Sequence, residues 1–460
     1  MNDIIEGLVD VSDDTVVPYR FENGKITLFF GLSGCKVNEN LSELIGNILG
    51  KNEKILYKLT FPLKTFIDYA DFGGNKQLYG TITLDVDFYI IKYNEKLTYN
   101  RMKFSFKELD YFIPSGHMFS LTTDGNAGHV ALIPREIARF DFTYSGKNVA
   151  FVLQARSEFT IGSQGAASSL SELILEFEDT DNLKFITELY HLIRNLFSFI
   201  CNRKNLSFSM ATLIGKCIKK FPKKTNEEGK MVIENKEVTV EQILNVIDNF
   251  ADDWETDKSI NKDINYGYLC ENFSSLLNLM AEDKITVSSI HSCNKVKNLI
   301  DLNQSLHITA TFEFYQRTYL PSISSTETNE VYDDIKALIQ TYIETQTDKK
   351  KIKKAKQIIK SLDPNISLKD KIVKVYNGYS TWSGVQAILD EWFEDRVNDL
   401  AQVANDWRNE LAHEKNEYQP DRRVVDAVRL VEHLNYCIVL RLAGYTDSQI
   451  KNFIEIVLTR

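Results

Sequence analysis

Apolar and polar residues change rhythm partway along the chain. Up to about residue 165 they alternate: "GKITLFF" (24–30), "GTITLDVDFYIIKY" (80–93), "MKFSFKEL" (102–109), "ARFDFTY" (138–144) and "NVAFVLQARSEFTI" (148–161). Alternation with β-branched and aromatic residues predicts half-buried strands. Turn-forming stretches such as "DFGGNKQ" and "SGKN" separate them. Strands without intervening helices predict a β-rich region, a sandwich or a barrel. "GSQGAASS" (162–169) reads as a small-residue junction, with a short strand "LILEFE" (173–178) after it.

The period then lengthens. In 182–204, Phe185, Ile186, Leu189, Leu192, Ile193, Leu196 and Phe197 fall at helical spacing. Residues 205–300 mix short helices with a strand, and "KCIKKFPKKTNEEGK" (216–230) is a charged loop or hairpin. From about 305 onward amphipathic helices follow one another: 334–346, 350–362 and 367–379. One apolar stripe then runs through Val385, Leu389, Phe393, Val397, Leu400, Ala404, Trp407 and Leu411. Pro420 suits the first turn of the next helix, Gly444 its C′ position, and "TDSQ" (446–449) a capping box. The expectation is a multidomain α+β protein. It has a β-rich region at 1–180, a mixed, mainly helical middle at 181–304, and an all-α bundle at 305–460.

Composition narrows the function. Apolar residues make up 43% of the 460, enough for packed cores, which excludes a disordered chain. The net charge is −10, which argues against a general nucleic-acid coat but permits a local basic site. Six cysteines without a C-x-x-C pair argue against a zinc ribbon and a disulfide framework. "MNDIIEGLVDVSDD" lacks the pattern of a secretory signal, and no apolar run has the length of a membrane helix. A cytoplasmic location is expected, with no membrane partner. "DFGG" (71–74) has none of the companion segments of a kinase, "NLS" (205–207) has no secretory context, and His291 with Cys293 is a pair without a second pair. No phosphate-binding loop occurs, so no cofactor or metal is expected.

The chemistry concentrates in "WRNELAHEK" (407–415). With 15 Arg and 7 His in the chain, about 0.7 matches to Arg-x(4–6)-His arise by chance, so the bare pattern says little. Placement says more. At about 100° per residue, Leu400, Val403, Trp407 and Leu411 share one face, Asn409 and His413 lie roughly opposite, and Arg408 is on the flank. The His stands near the helix end, where the dipole favours imidazolium. RNA carries its own nucleophile, the 2′-OH. An imidazole can move the proton near neutral pH, and a guanidinium can grip phosphate oxygens. Such a site needs no metal, and two copies facing each other would supply both an acid and a base.

"RNELAH" in the penultimate long helix of a helical bundle resembles the R-x(4–6)-H signature of HEPN-domain ribonucleases. "ATFEFYQRTYLP" (310–321) is similar to the Glu-x(3)-Arg/Lys element of some HEPN groups, here Glu313 and Arg317. The β-rich region opening with "GKITLFFG" looks like the N-terminal module of ApeA-type HEPN proteins, a bacterial anti-phage group. The resemblance implies a homodimer or larger assembly with Arg408 and His413 of two chains in one metal-independent endoribonuclease site. Asn409 would orient substrate or partner side chains, and Glu313 and Arg317 would support the site. It further implies RNA cleavage in phage defence by abortive infection, with tRNA as a plausible target, a phage-derived trigger, and the N-terminal region as sensor. The alternative is a non-catalytic HEPN-like dimerisation module beside a β-domain that binds a ligand or phage protein. HEPN toxins paired with nucleotidyltransferases carry a Tyr two residues after the His. Lys415 stands there, with Tyr418 nearest, which argues against control by AMP transfer. The seven lysines of 349–360 are either a solvated face or a phosphate-steering patch.

Overall fold

The computed structural model describes the chain outside residues 1–3, 13–14, 31–40, 64–69, 73–74, 78–79, 95, 114–118, 124–127, 133–135, 161–165, 208–209, 224–231, 248–264, 294–295, 297–300, 321–329, 347, 363–365, 380–381, 413–420 and 459–460. The chain divides into two compact units: Met1–Arg194 with Asn205–Thr256, and Asn195–Lys204 with Asp257–Arg460.

The first unit is built on β1 (Ile5–Ser12), β2 (Thr15–Glu22), β3 (Lys25–Phe30), β4 (Leu41–Ile48) and β5 (Lys54–Leu63). A small hairpin, β6 (Ala70–Phe72) with β7 (Asn75–Gln77), precedes β8 (Gly80–Ile91) and β9 (Thr98–Phe104). Helix α1 (Lys107–Phe112) and a second small hairpin, β10 (Phe119–Thr123) with β11 (Gly128–Leu132), lead to β12 (Glu136–Tyr144), β13 (Lys147–Thr160) and β14 (Ala166–Thr180). After helix α2 (Leu183–Cys201) come β15 (Met210–Lys223) and β16 (Val232–Val246).

Twelve strands form one antiparallel sheet in the order β12-β13-β14-β9-β15-β16-β8-β3-β2-β1-β4-β5. Residues 80–85 of β8 pair with β3, residues 86–91 pair with β5, and residues 88–91 also pair with β16. The β5–β8 pairing closes β8, β3, β2, β1, β4 and β5 into a barrel. Its interior is apolar, filled by Val9, Val17, Tyr19, Ile26, Leu44 and Tyr57 among others. The alternation that predicted strands therefore predicts which side chains turn inward. Two turns have both central residues at positive φ, Asn23–Gly24 (53° and 74°) and Ser145–Gly146 (49° and 75°). That left-handed pair matches the twist of the hairpins they close. Gly7 is required for another reason: a Cβ there would lie 1.8 Å from the Asn47 carbonyl oxygen.

The expected mixed middle region at 181–304 gives way to a different division. β15 and β16 join the large sheet, and the boundary between units falls at Arg194 in α2 and again at Thr256. Of the charged loop or hairpin read at 216–230, residues 216–223 belong to β15, where Lys216 meets Glu237 across the strands at 3.3 Å, and residues 224–230 lie outside the described residues. Lysines and glutamates on an exposed ribbon hide the alternation that marks a half-buried strand. The junction expected at 162–169 is also displaced, because β14 already begins at Ala166 and pairs along its length with β13.

The second unit is helical. Helix α3 (Phe273–Ala281) follows two short 3-10 turns, and α4 (Leu302–Tyr319), α5 (Glu330–Thr345), α6 (Lys349–Leu362) and α7 (Leu368–Asn377) come next. A two-residue ladder, β17 (Gly378–Tyr379) with β18 (Trp382–Ser383), separates α7 from α8 (Gln386–Phe393), α9 (Val397–Ala412), α10 (Arg422–Leu442) and α11 (Asp447–Val457). The apolar stripe from Val385 to Leu411 is thus shared by two helices, with a 3-10 turn at Glu394–Arg396 between them. Asp421 caps α10 by accepting from the Val424 N–H, whereas Pro420 lies outside the described residues. Gly444 (φ 92°) ends that helix, its N–H bonding the Arg441 carbonyl and that of Tyr445 the Leu440 carbonyl. Thr446 and Gln449 form the expected capping box of α11. Among the described residues no helix is long and apolar enough to cross a membrane.

Helix α10 is the core element, buried without interruption from Leu430 to Leu440 and packed by α4, α7, α9 and α11. Three polar residues inside that run have partners. Glu432 accepts from Asn202 Nδ2 at 3.0 Å and lies 2.9 Å from His291 Nε2. His433 Nδ1 lies 2.7 Å from the Arg429 carbonyl, and Asn435 donates to the Ile308 carbonyl at 3.1 Å. Burial alone would raise the Glu432 pKa, but His291 and its other polar neighbours bring it down to about 2. For His433, burial lowers the pKa to about 4 against the pull of Glu432.

The His433 shift has a sign that can be tested. The unfolded chain takes up the imidazole proton near pH 6.5, and the folded chain only near 4. Between those values the unfolded state binds more protons, so stability is full above pH 6.5 and falls as pH drops toward 4, by on the order of 3 kcal/mol. Thermal unfolding at stepped pH should show the decline in wild type and a flatter profile in His433→Gln. Parallel profiles would contradict this account.

Candidate active site on the helical unit

Helix α9 carries the segment that the sequence singled out. Val397, Leu400, Ala401, Ala404 and Trp407 are buried, which turns the opposite side of the helix outward. Arg408 is half-buried on the flank and Asn409 is exposed, as the helical spacing predicts. His413 lies just past the end of α9 and outside the described residues.

Glu313 reaches Arg408 from α4. Asp301 caps this helix through the Gln304 N–H at 2.7 Å, and Ile308, Phe312 and Tyr315 bury its inner face. That leaves Glu313 on the edge facing α9, with 29% of its side chain exposed. Its Oε2 accepts from Arg408 Nη2 at 3.2 Å. Arg408 Nη1 also donates to Asn409 Oδ1 at 3.4 Å. Three of the expected site residues, Glu313, Arg408 and Asn409, are therefore joined by side-chain hydrogen bonds. Arg317 is not part of this cluster. It is exposed one turn further along α4, and forms no ion pair with a described residue.

Sequence reasoning missed the second cation of the cluster. Lys371 Nζ lies 3.3 Å from Glu313 Oε1, so each carboxylate oxygen holds a separate positive group. Lys371 sits at the end of the first turn of α7. Ser367 caps that turn by accepting from the Asp370 N–H at 3.1 Å. Ile372, Val375 and Tyr376 bury the inner face of α7 and leave Lys371 at its border. The only signal in the sequence was its place on an amphipathic helix, which Lys369, Asp370 and Lys374 share.

The cluster thus presents two cations and one anion on a half-open surface. Glu313 satisfies both cations without burying them, and side-chain exposure of 41% at Arg408 leaves the guanidinium accessible to a phosphate. Among the described residues no group of His, Cys, Asp and Glu could hold a metal ion.

A comparison with known families covers the helices that carry this cluster. Residues 306–449 match the family model described as Apea-like HEPN, a span from the start of α4 to the capping box of α11. The helical unit therefore contains an ApeA-type HEPN domain, and HEPN domains are in general ribonucleases that bind RNA and dimerise. At family level such a domain suggests a nuclease and anti-phage role. No curated protein and no solved structure matches the chain.

The Glu313–Arg408 pair is part-exposed, so its contribution to stability is small. A double-mutant cycle of Glu313→Ala and Arg408→Ala, read by urea unfolding, should give a coupling of about 0.5–1 kcal/mol. Strict additivity of the two losses would show that the pair is not formed in solution.

Proposed function

We propose that the chain is a metal-independent HEPN endoribonuclease of phage defence, with Arg408 and His413 as its catalytic residues. The observation that carries the proposal is the fixed, half-open guanidinium of Arg408, held by Glu313 inside the ApeA-type HEPN span. Arg408 binds the non-bridging oxygens of the scissile phosphate and stabilises the charge that builds there. His413 acts on the protons. It removes the 2′-OH proton as that oxygen attacks phosphorus, or protonates the leaving 5′ oxygen. The bond from phosphorus to the 5′ oxygen breaks, which leaves a 2′,3′-cyclic phosphate and a 5′-OH. One imidazole serves poorly in both steps, so His413 residues of two subunits share them in a homodimer or larger assembly.

Glu313 and Lys371 act as positioning residues. The carboxylate fixes the guanidinium, and Lys371 offsets the negative charge that the carboxylate would otherwise turn toward an incoming phosphate. Asn409, exposed beside Arg408, orients substrate or the facing subunit. Arg317, exposed on α4, offers a second phosphate contact further from the centre. The barrel-bearing unit senses infection in a cytoplasmic protein whose activation halts growth by abortive infection.

The test uses purified wild type, His413→Ala and Arg408→Ala on end-labelled total tRNA in EDTA, with and without extract of infected cells. Cleavage by wild type and a loss of at least about 100-fold in both variants is expected. Cleavage of equal rate in His413→Ala, or activity that appears only on adding a metal, would overturn the proposal.

A further inference from the structure

Helix α6 reads KKKIKKAKQIIKSL and contains no acidic residue, in a chain whose net charge is −10. Lys350, Lys351, Lys353, Lys354 and Lys356 are all exposed. None of them forms an ion pair with a described residue. At helical spacing they face one another: Lys350 meets Lys353 and Lys354, Lys351 meets Lys354, and Lys353 meets Lys356. Like charges at these separations each cost a few tenths of a kcal/mol. An exposed helix that gathers uncompensated repulsion is suited to a polyanion, which would relieve it.

The geometry of the lysines favours a nucleic acid over a membrane surface. Helix α6 packs on α5, and Ala355 on its apolar side is buried. At about 100° per residue, Ile352 lies beside Ala355 and is half-buried, so this side of the helix is used within the hairpin, while Ile358 stands 51% exposed among the lysines. The lysines spread over the remaining arc, roughly 220° of the helix. A phosphate chain that winds past the helix can meet such an arc, whereas a flat surface meets part of it.

The lysine helix precedes the site helix α7 closely in the chain. Helix α6 ends at Leu362 and α7 begins at Leu368, so the connection can span no more than about 20 Å. The first turn of α7 carries Lys371, which shares Glu313 with Arg408. Lys371 of α7 thus follows the lysine helix after a short stretch of chain.

We propose that the lysine face of α6 binds the phosphate backbone of single-stranded or looped RNA and delivers it to the Glu313–Lys371–Arg408 cluster. This rests on the ribonuclease reading for the identity of the polyanion. It implies a substrate longer than the nucleotides at the cut, since the far phosphates lie on α6. Affinity and its salt dependence then reside largely in α6, and bond cleavage in α9.

The experiment compares the full-length chain with a variant in which Lys350, Lys351, Lys353, Lys354 and Lys356 are all changed to Gln. Both carry His413→Ala, so that labelled tRNA stays intact. Binding is measured by fluorescence anisotropy across a series of salt concentrations. With three to five phosphates neutralised, the slope of log K against log salt should flatten by about 2–3.5, and affinity near 0.1 M salt should fall about tenfold or more. A variant with the five lysines changed to Arg should keep the parental slope. Equal slopes in the Gln variant and its parent would overturn the proposal, as would binding to anionic phospholipid vesicles without binding to tRNA. Cleavage is scored separately with His413 intact. A flattened slope without cleavage by the active chain would leave the surface standing and remove the nuclease reading. Equal cleavage and equal slopes would do the reverse.

Discussion

Glu313 stands between two cations, and three helices converge on it. Its oxygens take Arg408 from α9 and Lys371 from α7, while its own helix, α4, is anchored in the core by Phe312 and Tyr315. A single carboxylate thereby sets the direction of the guanidinium. Without it the two cations would repel each other at the same border and Arg408 would sample many rotamers. The pair adds little to stability, because it is half-exposed. Its effect is on placement, which is what the phosphate contact proposed for Arg408 needs.

The apolar interior supports that placement from below. Trp407 is buried immediately before Arg408, and Phe312 immediately before Glu313, so each polar residue borders a packed one. Beneath them α10 is buried along most of its length, with Glu432 tied to both His291 and Asn202. Those partners come from separate stretches of chain. A buried carboxylate satisfied from two sides tolerates only one seating of the helix, since any slip would leave charge unpaired. His291, which shows no metal-site spacing in the sequence, has this role instead.

Legibility in the sequence followed exposure and period. The α2 positions from Phe185 to Phe197 named by the spacing are all buried, and on the α9 face Leu400, Ala404 and Trp407 are buried with Val403 half-buried. Strands β3, β8, β12 and β13 appear where alternation placed them. Strands β1, β2, β4 and β5 were passed over, although Asn23–Gly24 is a strong hairpin signal between β2 and β3. The β15–β16 ribbon was hidden by its surface charge, and barrel closure depends on β5 meeting β8, a pairing that no local pattern encodes. At the site, Glu313 and Arg408 were read from short motifs and are in contact. Lys371 was not, because its part depends on how α7 packs beside α4. Arg317 shares a motif with Glu313 but stands apart from the cluster.

The central claim is that the substrate's own 2′-OH attacks the phosphate beside Arg408. It is tested most directly with an RNA that the active protein cuts at one mapped position, resynthesised with a single 2′-deoxynucleotide on the 5′ side of that bond. The account predicts that cleavage there disappears, and that the unmodified RNA ends in a 2′,3′-cyclic phosphate and a 5′-OH. Continued cleavage of the deoxy-substituted bond, leaving a 3′-OH and a 5′-phosphate, would contradict it.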